Sequence, residues 1–429
     1  MLQFPAFPRI GGVLHCGASS VEDIAREVGT PLYIYNLDSI VGRLRHYTGA
    51  FETLPHTTCY AVKANSTAAV LHALSRAGAG FDVNSRGELF RALRAGADPL
   101  RITMTGVAKT DADIDDALAA GILYFNAESA EECARIDALA ARQDLHASVL
   151  LRINPNVDAH THPYIATGLA EHKFGLSGND ALEAVKQFRG LPHVSLDGFG
   201  MHLGSQIFDP AVFVEGLDRM LDFIDRIAAE LSAPLRVLNI GGGIGVPYAE
   251  DETAVAPADV ARAIAASFER ARRSSWAHPD GLRLVSEPGR YIVANEGILV
   301  TRVEYIKRSG ERNFLLLDAG MNDLIRPALY EAYHHVVPVI ERHGGGEATY
   351  DIAGPVCESG DTFALARRMA AVKAGDLVAI HSAGAYGAAM SSIYNSRPFA
   401  AEVAVQGGSW FIARRRQSLD QIIENETTG

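Results

Sequence analysis

From residue 57 onward the hydrophobic positions of this chain alternate between two periods. Short β-branched runs suited to buried strands are followed by stretches whose apolar residues recur every three or four positions. The runs are TTCYAVK (57–63), GFDVNS (80–85), RITMTG (101–106), ILYFNAE (122–128), ASVLLRINP (147–155), LDGFGMHLG (196–204), RVLNIGGG (236–243) and LRLVSEPG (282–289). Helical spacing lies between them, as in LHALSRAGA (71–79), RGELFRALRAG (86–96) and DALAAG (116–121). Gly78, Gly96 and Gly121 stand where helix ends favour a left-handed residue. Eight runs, each followed by room for a crossover helix, predict an α/β fold with a (β/α)8 barrel over residues 37–292. A doubly wound open sheet has the same periodicity, and the count of eight favours the barrel. After residue 292 the rhythm changes. ILVTRVEYIKR (298–308), NFLLLDAG (313–320) and DLVAIHSAGAYG (376–387) follow without comparable helices, which predicts an antiparallel β domain. The early run PLYIYN (31–36) is a strand that could be donated to it, so residues 1–36 and 293–429 are expected to form one domain.

Composition narrows the function classes. The 429 residues are 48% hydrophobic and 21% charged, the mix of a chain with a large core. A net charge of −12 without a basic stripe disfavours nucleic acid. No apolar run reaches the roughly 20 residues that span a bilayer, and MLQFPAFPRI has no export-signal pattern. Cys16, Cys59, Cys133 and Cys357 are dispersed without a CxxC, against both a zinc site and a disulfide framework. A reducing cytoplasm fits this usage.

In a barrel the C-terminal strand ends carry the chemistry. Here they hold Lys63, Asp82, Ser85, Arg152, His202, Gly241 to Gly243 and Glu287. Lys63, alone, is either a solvated loop lysine or a partly desolvated amine able to form a Schiff base. NIGGGIG (239–245) is a tight turn or a phosphate cradle; it lacks the dinucleotide fingerprint, since Val246 and Pro247 follow. Glu287 in EPGR (287–290) either pairs with Arg290 or faces a protonated ring nitrogen. His202 alone suits a hydrogen-bonded core position. HTHPY (160–164) with His172 invites a metal, but no carboxylate or cysteine stands at matching spacing, so no metal site is expected. The His334-His335 pair reads as a surface or interface feature. Cys357, in GPVCESGD (354–361), is a small buried apolar residue or a proton donor. Tyr386, in AYG (385–387), is an aromatic packing residue or a phosphate-binding phenol.

YAVKAN, FDVNSRGEL, NPNVDAHTHPYIATG, HKFGL, GMHLGSQI, GGGIG, EPGR and GPVCESGD, in this order, resemble blocks of the fold-type III decarboxylases that use pyridoxal 5′-phosphate, most closely their diaminopimelate branch. The resemblance runs from about residue 31 to 398 and implies a two-domain architecture like that of alanine racemase. Asn84 departs from the pattern, at a position with no assigned role. By this resemblance Lys63 would carry the cofactor through its amine, His202 would stack on its ring, and Glu287 would keep the ring nitrogen protonated. Gly241, Gly242, Gly243, Ser205, Tyr386 and the backbone of Glu287, Pro288, Gly289 and Arg290 would hold the phosphate, with Asp82 and Arg152 supporting the cofactor. Cys357 would protonate Cα, since thiols of ordinary acidity keep their proton at neutral pH. Arg290, Arg326 and Tyr330 would bind the distal carboxylate of the substrate and Glu358 its ammonium, with Tyr386 also in contact with the substrate. A buried arginine about 4 Å from a bare ammonium costs on the order of 4 kcal/mol at an effective dielectric near 20, so Arg326 favours diaminopimelate over simple diamines. The implied reaction is decarboxylation of meso-2,6-diaminopimelate to L-lysine, in a homodimer whose chains share each site. The alternatives are an ornithine, lysine or arginine decarboxylase on the same scaffold, or a cofactor-binding regulatory protein without catalysis.

Overall fold

The structure is a computed structural model that describes residues 4–157, 174–249, 251–341 and 346–428. HTHPY and His172 lie outside the described residues. The chain forms two compact units, one of Arg43–Val246 with Thr253–Ile292, the other of Met1–Gly42, Pro247–Glu252 and Val293–Gly429.

The first unit is a closed barrel of eight parallel strands: β1 (His56–Ala61), β2 (Gly80–Val83), β3 (Ile102–Met104), β4 (Tyr124–Ala127), β5 (Ala147–Arg152), β6 (Val194–Gly200), β7 (Val237–Asn239) and β8 (Arg283–Ser286). Each of the eight runs supplies one strand, and β8 closes on β1 through Leu284 opposite His56. Closure rules out the open sheet. The crossover helices start and stop where side chains satisfy their free ends. Ser85 accepts the Glu88 N–H to begin Arg86–Arg94, and Thr110 with Asp113 forms a reciprocal capping box before Asp111–Ala120. Gly121 ends the latter helix at φ 66°, a conformation costly for residues with a Cβ.

Strand alternation sets the barrel interior. Cys59, Tyr124, Leu150, Val237 and Val285 form one buried cluster inside it. Two residues further along each strand, the same face presents Ala61, Asn126, Arg152, Asn239 and, just past β8, Glu287. An apolar layer thus supports a polar one at the C-terminal end, and this pattern builds the site.

The second unit holds a nine-stranded sheet. Its centre is the strand Leu32–Asn36, buried at every position, between Gly297–Ser309 on one side and Ala401–Gln406 on the other. PLYIYN is therefore donated to this sheet. Two pairings are parallel, Leu32–Asn36 with Ala401–Gln406 and Arg312–Leu317 with Glu347–Ala353, so the sheet is mostly rather than wholly antiparallel. Local alternation reports burial and not strand direction, which is why sequence spacing missed them. Ile34, Val300, Ala379 and Val403 pack with the helix Val21–Val28 in its core.

Candidate active site

At the C-terminal end of the barrel, Lys63, Asn84, Thr105, Asn126, Arg152, His202, Asn239 and Glu287 line one cavity of about 120 Å³. Lys63 sits on the 3-10 turn Val62–Ala64, just beyond β1. Its side chain is exposed, which matches the solvated of the two alternatives and not the partly desolvated one. Asn84, expected to have no role, is on the cavity wall, where its N–H donates to Glu88 Oε2 at 2.7 Å.

Glu287 is 8% exposed. Its Oε1 accepts from Asn239 Nδ2 at 2.5 Å and Asn126 Nδ2 at 3.1 Å, while Oε2 makes no hydrogen bond among the described residues. Burial pushes its carboxyl up to about 7, and Asp82 adds to the rise; the Asn239 donor and the charges of Lys63 and Arg152 pull against it. Asp82 is completely buried on β2, with no well-aligned hydrogen bond to either oxygen. Burial raises its carboxyl too, opposed by Lys63, Thr105 and Arg152. The Glu287–Arg290 alternative gives way to other partners: Arg290 Nε and Nη2 donate to Ser205 Oγ at 3.2 and 3.1 Å.

His202 Nδ1 accepts the Gly242 N–H at 3.2 Å, which places its ring proton on Nε2. Burial, with Lys63 and Arg152 nearby, holds the imidazole well below its usual range, so it is neutral at physiological pH. His202 is therefore hydrogen-bonded, as the core reading expects, and it lines the cavity. Arg152 forms a buried ion pair with Glu128 at 2.8 Å and stacks its guanidinium over Phe174 at 4.9 Å. Glu128 also accepts the Gly175 N–H at 2.6 Å. Sequence reasoning missed Asn126, Asn239 and Glu128. The strand-end rule that picked Arg152 and Glu287 also covers both asparagines, but an amide carries no charge to draw attention.

The Gly241–Gly243 turn is a close approach of bare backbone. A Cβ on Gly241 would lie 2.6 Å from the Met201 carbonyl oxygen, and one on Gly242 only 2.2 Å from that of Glu287.

The remaining candidates lie in the second unit. Cys357 is exposed in its loop, against the buried apolar alternative. Its N–H donates to Asn395 Oδ1 at 2.8 Å, and Asp361 pins the loop by accepting from the backbone of Val356 at 2.7 Å and Met321 at 2.6 Å. Glu358 is exposed beside it. Arg326 opens the helix Arg326–Tyr330, 5% exposed, with its guanidinium 4.7 Å from the Tyr248 ring centroid and 3.2 Å from His334 Nε2. His334 is fully buried and also bonded to the His381 carbonyl, which corrects the surface assignment. Tyr330 is half-buried; so is Tyr386, held at φ 56° in the AYG turn.

The barrel segment 37–294 matches a family described as "Pyridoxal-dependent decarboxylase, pyridoxal binding domain". Diaminopimelate decarboxylase of Pseudomonas aeruginosa is 45% identical over 94% of this chain and 94% of its own. The chain belongs to the diaminopimelate decarboxylase family. A solved diaminopimelate decarboxylase from M. jannaschii, in co-complex with L-lysine, is 32% identical and superposes with a TM-score of 0.93, covering 100% of this chain and 99% of that one. The Helicobacter pylori diaminopimelate decarboxylase, complexed with L-lysine, is 37% identical with a TM-score of 0.88, covering 94% of this chain and 98% of that one.

The residues present fit the cofactor of a diaminopimelate decarboxylase. Pyridoxal phosphate asks a protein for an amine, an anion cradle and an acid for its ring nitrogen. The cavity offers the exposed Lys63 amine, and just beyond its Asn239 wall the glycine turn packs so closely on Met201 and Glu287 that no Cβ fits. It also offers a carboxyl with one oxygen free of amide donors. Gly242→Ala is expected to displace the Glu287 backbone, costing about 2 kcal/mol of stability. Melting curves check the stability loss, and equilibrium dialysis checks an accompanying weaker retention of pyridoxal phosphate.

Proposed function

We propose that this chain decarboxylates meso-2,6-diaminopimelate to L-lysine and carbon dioxide with pyridoxal 5′-phosphate, a reaction of lysine biosynthesis. The observation that carries the reading is the amide-held Glu287 in the same cavity as Lys63. When bound, the cofactor supplies the electron sink for the pair released as the Cα–carboxylate bond breaks. Lys63 would anchor it, and Gly241 to Gly243, Ser205, Tyr386 and the backbone from Glu287 to Arg290 would hold its phosphate. Glu287, with its Oε1 held by the two asparagines, would keep a proton at the ring nitrogen and so raise the pull on that electron pair. His202, neutral and fixed by Gly242, would offer a flat face for the ring to stack on. Asp82 and Arg152 shape the field around Lys63 and Glu287.

On the substrate, Arg290, Arg326 and Tyr330 bind the distal carboxylate, Glu358 takes the ammonium, and Tyr386 lies in reach of both substrate and phosphate. The buried Arg326 penalises a diamine whose far end bears only a positive charge. Cys357 Sγ delivers the proton to Cα. Residues 37–292 are the cofactor-binding barrel domain; residues 1–36 and 293–429 form the β domain that completes the active site. Two chains share each site, the Cys357 loop coming from the partner subunit, and the enzyme works in the cytoplasm. The free thiols of Cys16, Cys59, Cys133 and Cys357 support that compartment.

Carbon dioxide release with diaminopimelate, ornithine, lysine and arginine as substrates tests the reading. Turnover of diaminopimelate at least 100-fold faster than of the others is expected, as about 4 kcal/mol of charge repulsion allows. Faster turnover of ornithine would discard the role of Arg326, and no release at all would leave a binding protein. Cys357→Ala is expected to lower kcat about 100-fold at a KM within threefold of wild type, measured by the same assay. Sedimentation is expected to show a dimer, and a fully active monomer refutes the shared site.

A further inference from the structure

Asn239 is 1% exposed at the end of β7, and its one amide group has three partners. Oδ1 accepts the Gly241 N–H at 2.8 Å, while Nδ2 donates to Glu287 Oε1 at 2.5 Å and to the Tyr124 hydroxyl at 3.2 Å. A single side chain therefore ties the first glycine of the cradle to the carboxyl beyond the neighbouring strand β8. Asn126 gives Glu287 Oε1 a second, longer donor and spends its other N–H on Thr105 Oγ1 at 2.7 Å, away from the cradle. Both donors load the same oxygen, which fixes the carboxyl plane and leaves Oε2 to the cavity. N–H donors to a carboxylate also favour its charged form.

We propose that Asn239 is a positioning residue that couples the two ends of the cofactor site: its carbonyl sets the glycine cradle, and its N–H aims and charges Glu287. The proposal rests on the assignment of Glu287 to the ring nitrogen. The logic of the test lies in the two faces of the amide. Aspartate keeps an acceptor for the Gly241 N–H but replaces the donor to Glu287 with a like charge. Alanine removes both functions. The other titratable groups that interact with Glu287 are Asp82 from β2, Lys63 beyond β1, Arg152 from β5, the Cys59 thiol of β1 and the phenols of Tyr47 and Tyr124. All are retained in these variants.

The experiment compares wild type, Asn239→Asp, Asn239→Ala and Asn126→Ser. Cofactor-free protein is melted across pH 4.5 to 9, and the loaded enzyme is assayed for kcat, KM and the rate of cofactor loss on dialysis. In Asn239→Asp the pH at which cofactor-free protein loses stability is expected to move up by about one unit or more. Its kcat falls on the order of 100-fold at little change in KM, while cofactor loss stays within about threefold of wild type. Asn239→Ala is expected to shed cofactor about tenfold faster. Asn126→Ser shifts the melting profile in the same direction by less, with cofactor loss unchanged. An Asn239→Asp profile superimposable on wild type, or equal cofactor loss from the aspartate and alanine variants, overturns the proposal. Should the Asn239 variants fail to fold, an unshifted Asn126→Ser profile overturns it instead. The melting arm contains no cofactor and no substrate, so it reads the amide–carboxyl coupling even if wild type proves not to release carbon dioxide.

Discussion

Lys63→Ala is expected to lose at least four orders of magnitude in decarboxylation rate while folding normally. The side chain is exposed on the Val62–Ala64 turn, so its removal opens no core cavity and melting should change by less than about 1 kcal/mol. Its contribution is chemical, because covalent anchoring replaces a chance encounter between cofactor and substrate with a fixed one. Borohydride reduction followed by peptide mapping should place the cofactor label on the YAVKAN peptide of wild type and leave the variant unlabelled. Label on another lysine, or an alanine variant that keeps its rate, removes the foundation of the proposed mechanism. Removing this amine should also alter its surroundings. Lys63 helps hold down the carboxyls of Asp82 and Glu287, so both should rise further in the variant.

Glu287→Gln should lower kcat about 1,000-fold, since an amide cannot keep the ring nitrogen charged and the electron sink weakens. The same substitution is expected to stabilise the cofactor-free protein at high pH. A carboxyl raised from 4.5 to about 7 carries an extra proton in the folded state throughout that interval. Stability contributed by that proton is present at low pH and is lost as pH rises from about 4.5 through 7. Above pH 7 the buried charge costs about 3 kcal/mol, which glutamine avoids. For a chain of this length that is about 3 °C in melting temperature at pH 8, shrinking to nothing near pH 4.5. Faster turnover with glutamine, or a variant that melts below wild type at pH 8, contradicts this account.

The barrel was legible because its strands carry strong apolar runs and its helices end at glycines such as Gly121. Lys63, His202 and Glu287 share one cavity wall, as strand-end placement led one to expect. Other features left no local trace. The small sheet of Arg9–Ile10, Val13–Cys16 and Ser19–Ser20 is built from strands too short to show a period. The exposure of Lys63 depends on a single 3-10 turn, and the burial of His334 on its hydrogen bonds to Arg326 and the His381 carbonyl. Neither is encoded in the spacing of neighbours. The two asparagines that hold Glu287 come from strands more than a hundred residues apart, and only barrel closure brings them to one oxygen.

The central strand Leu32–Asn36 has a consequence for biogenesis. Its two partners begin at Gly297 and Ala401, so a strand buried at every position leaves the ribosome some 265 residues ahead of the first edge it can pair with. At about 5–20 residues per second that is a wait of roughly 13 to 53 s, during which an unpaired strand is open to wrong partners. Each barrel strand meets at least one neighbour within a far shorter delay, although β1 must wait for β8 to close the barrel. Slowed elongation, or a shortage of chaperone holdases, should therefore penalise the yield of this half of the molecule first.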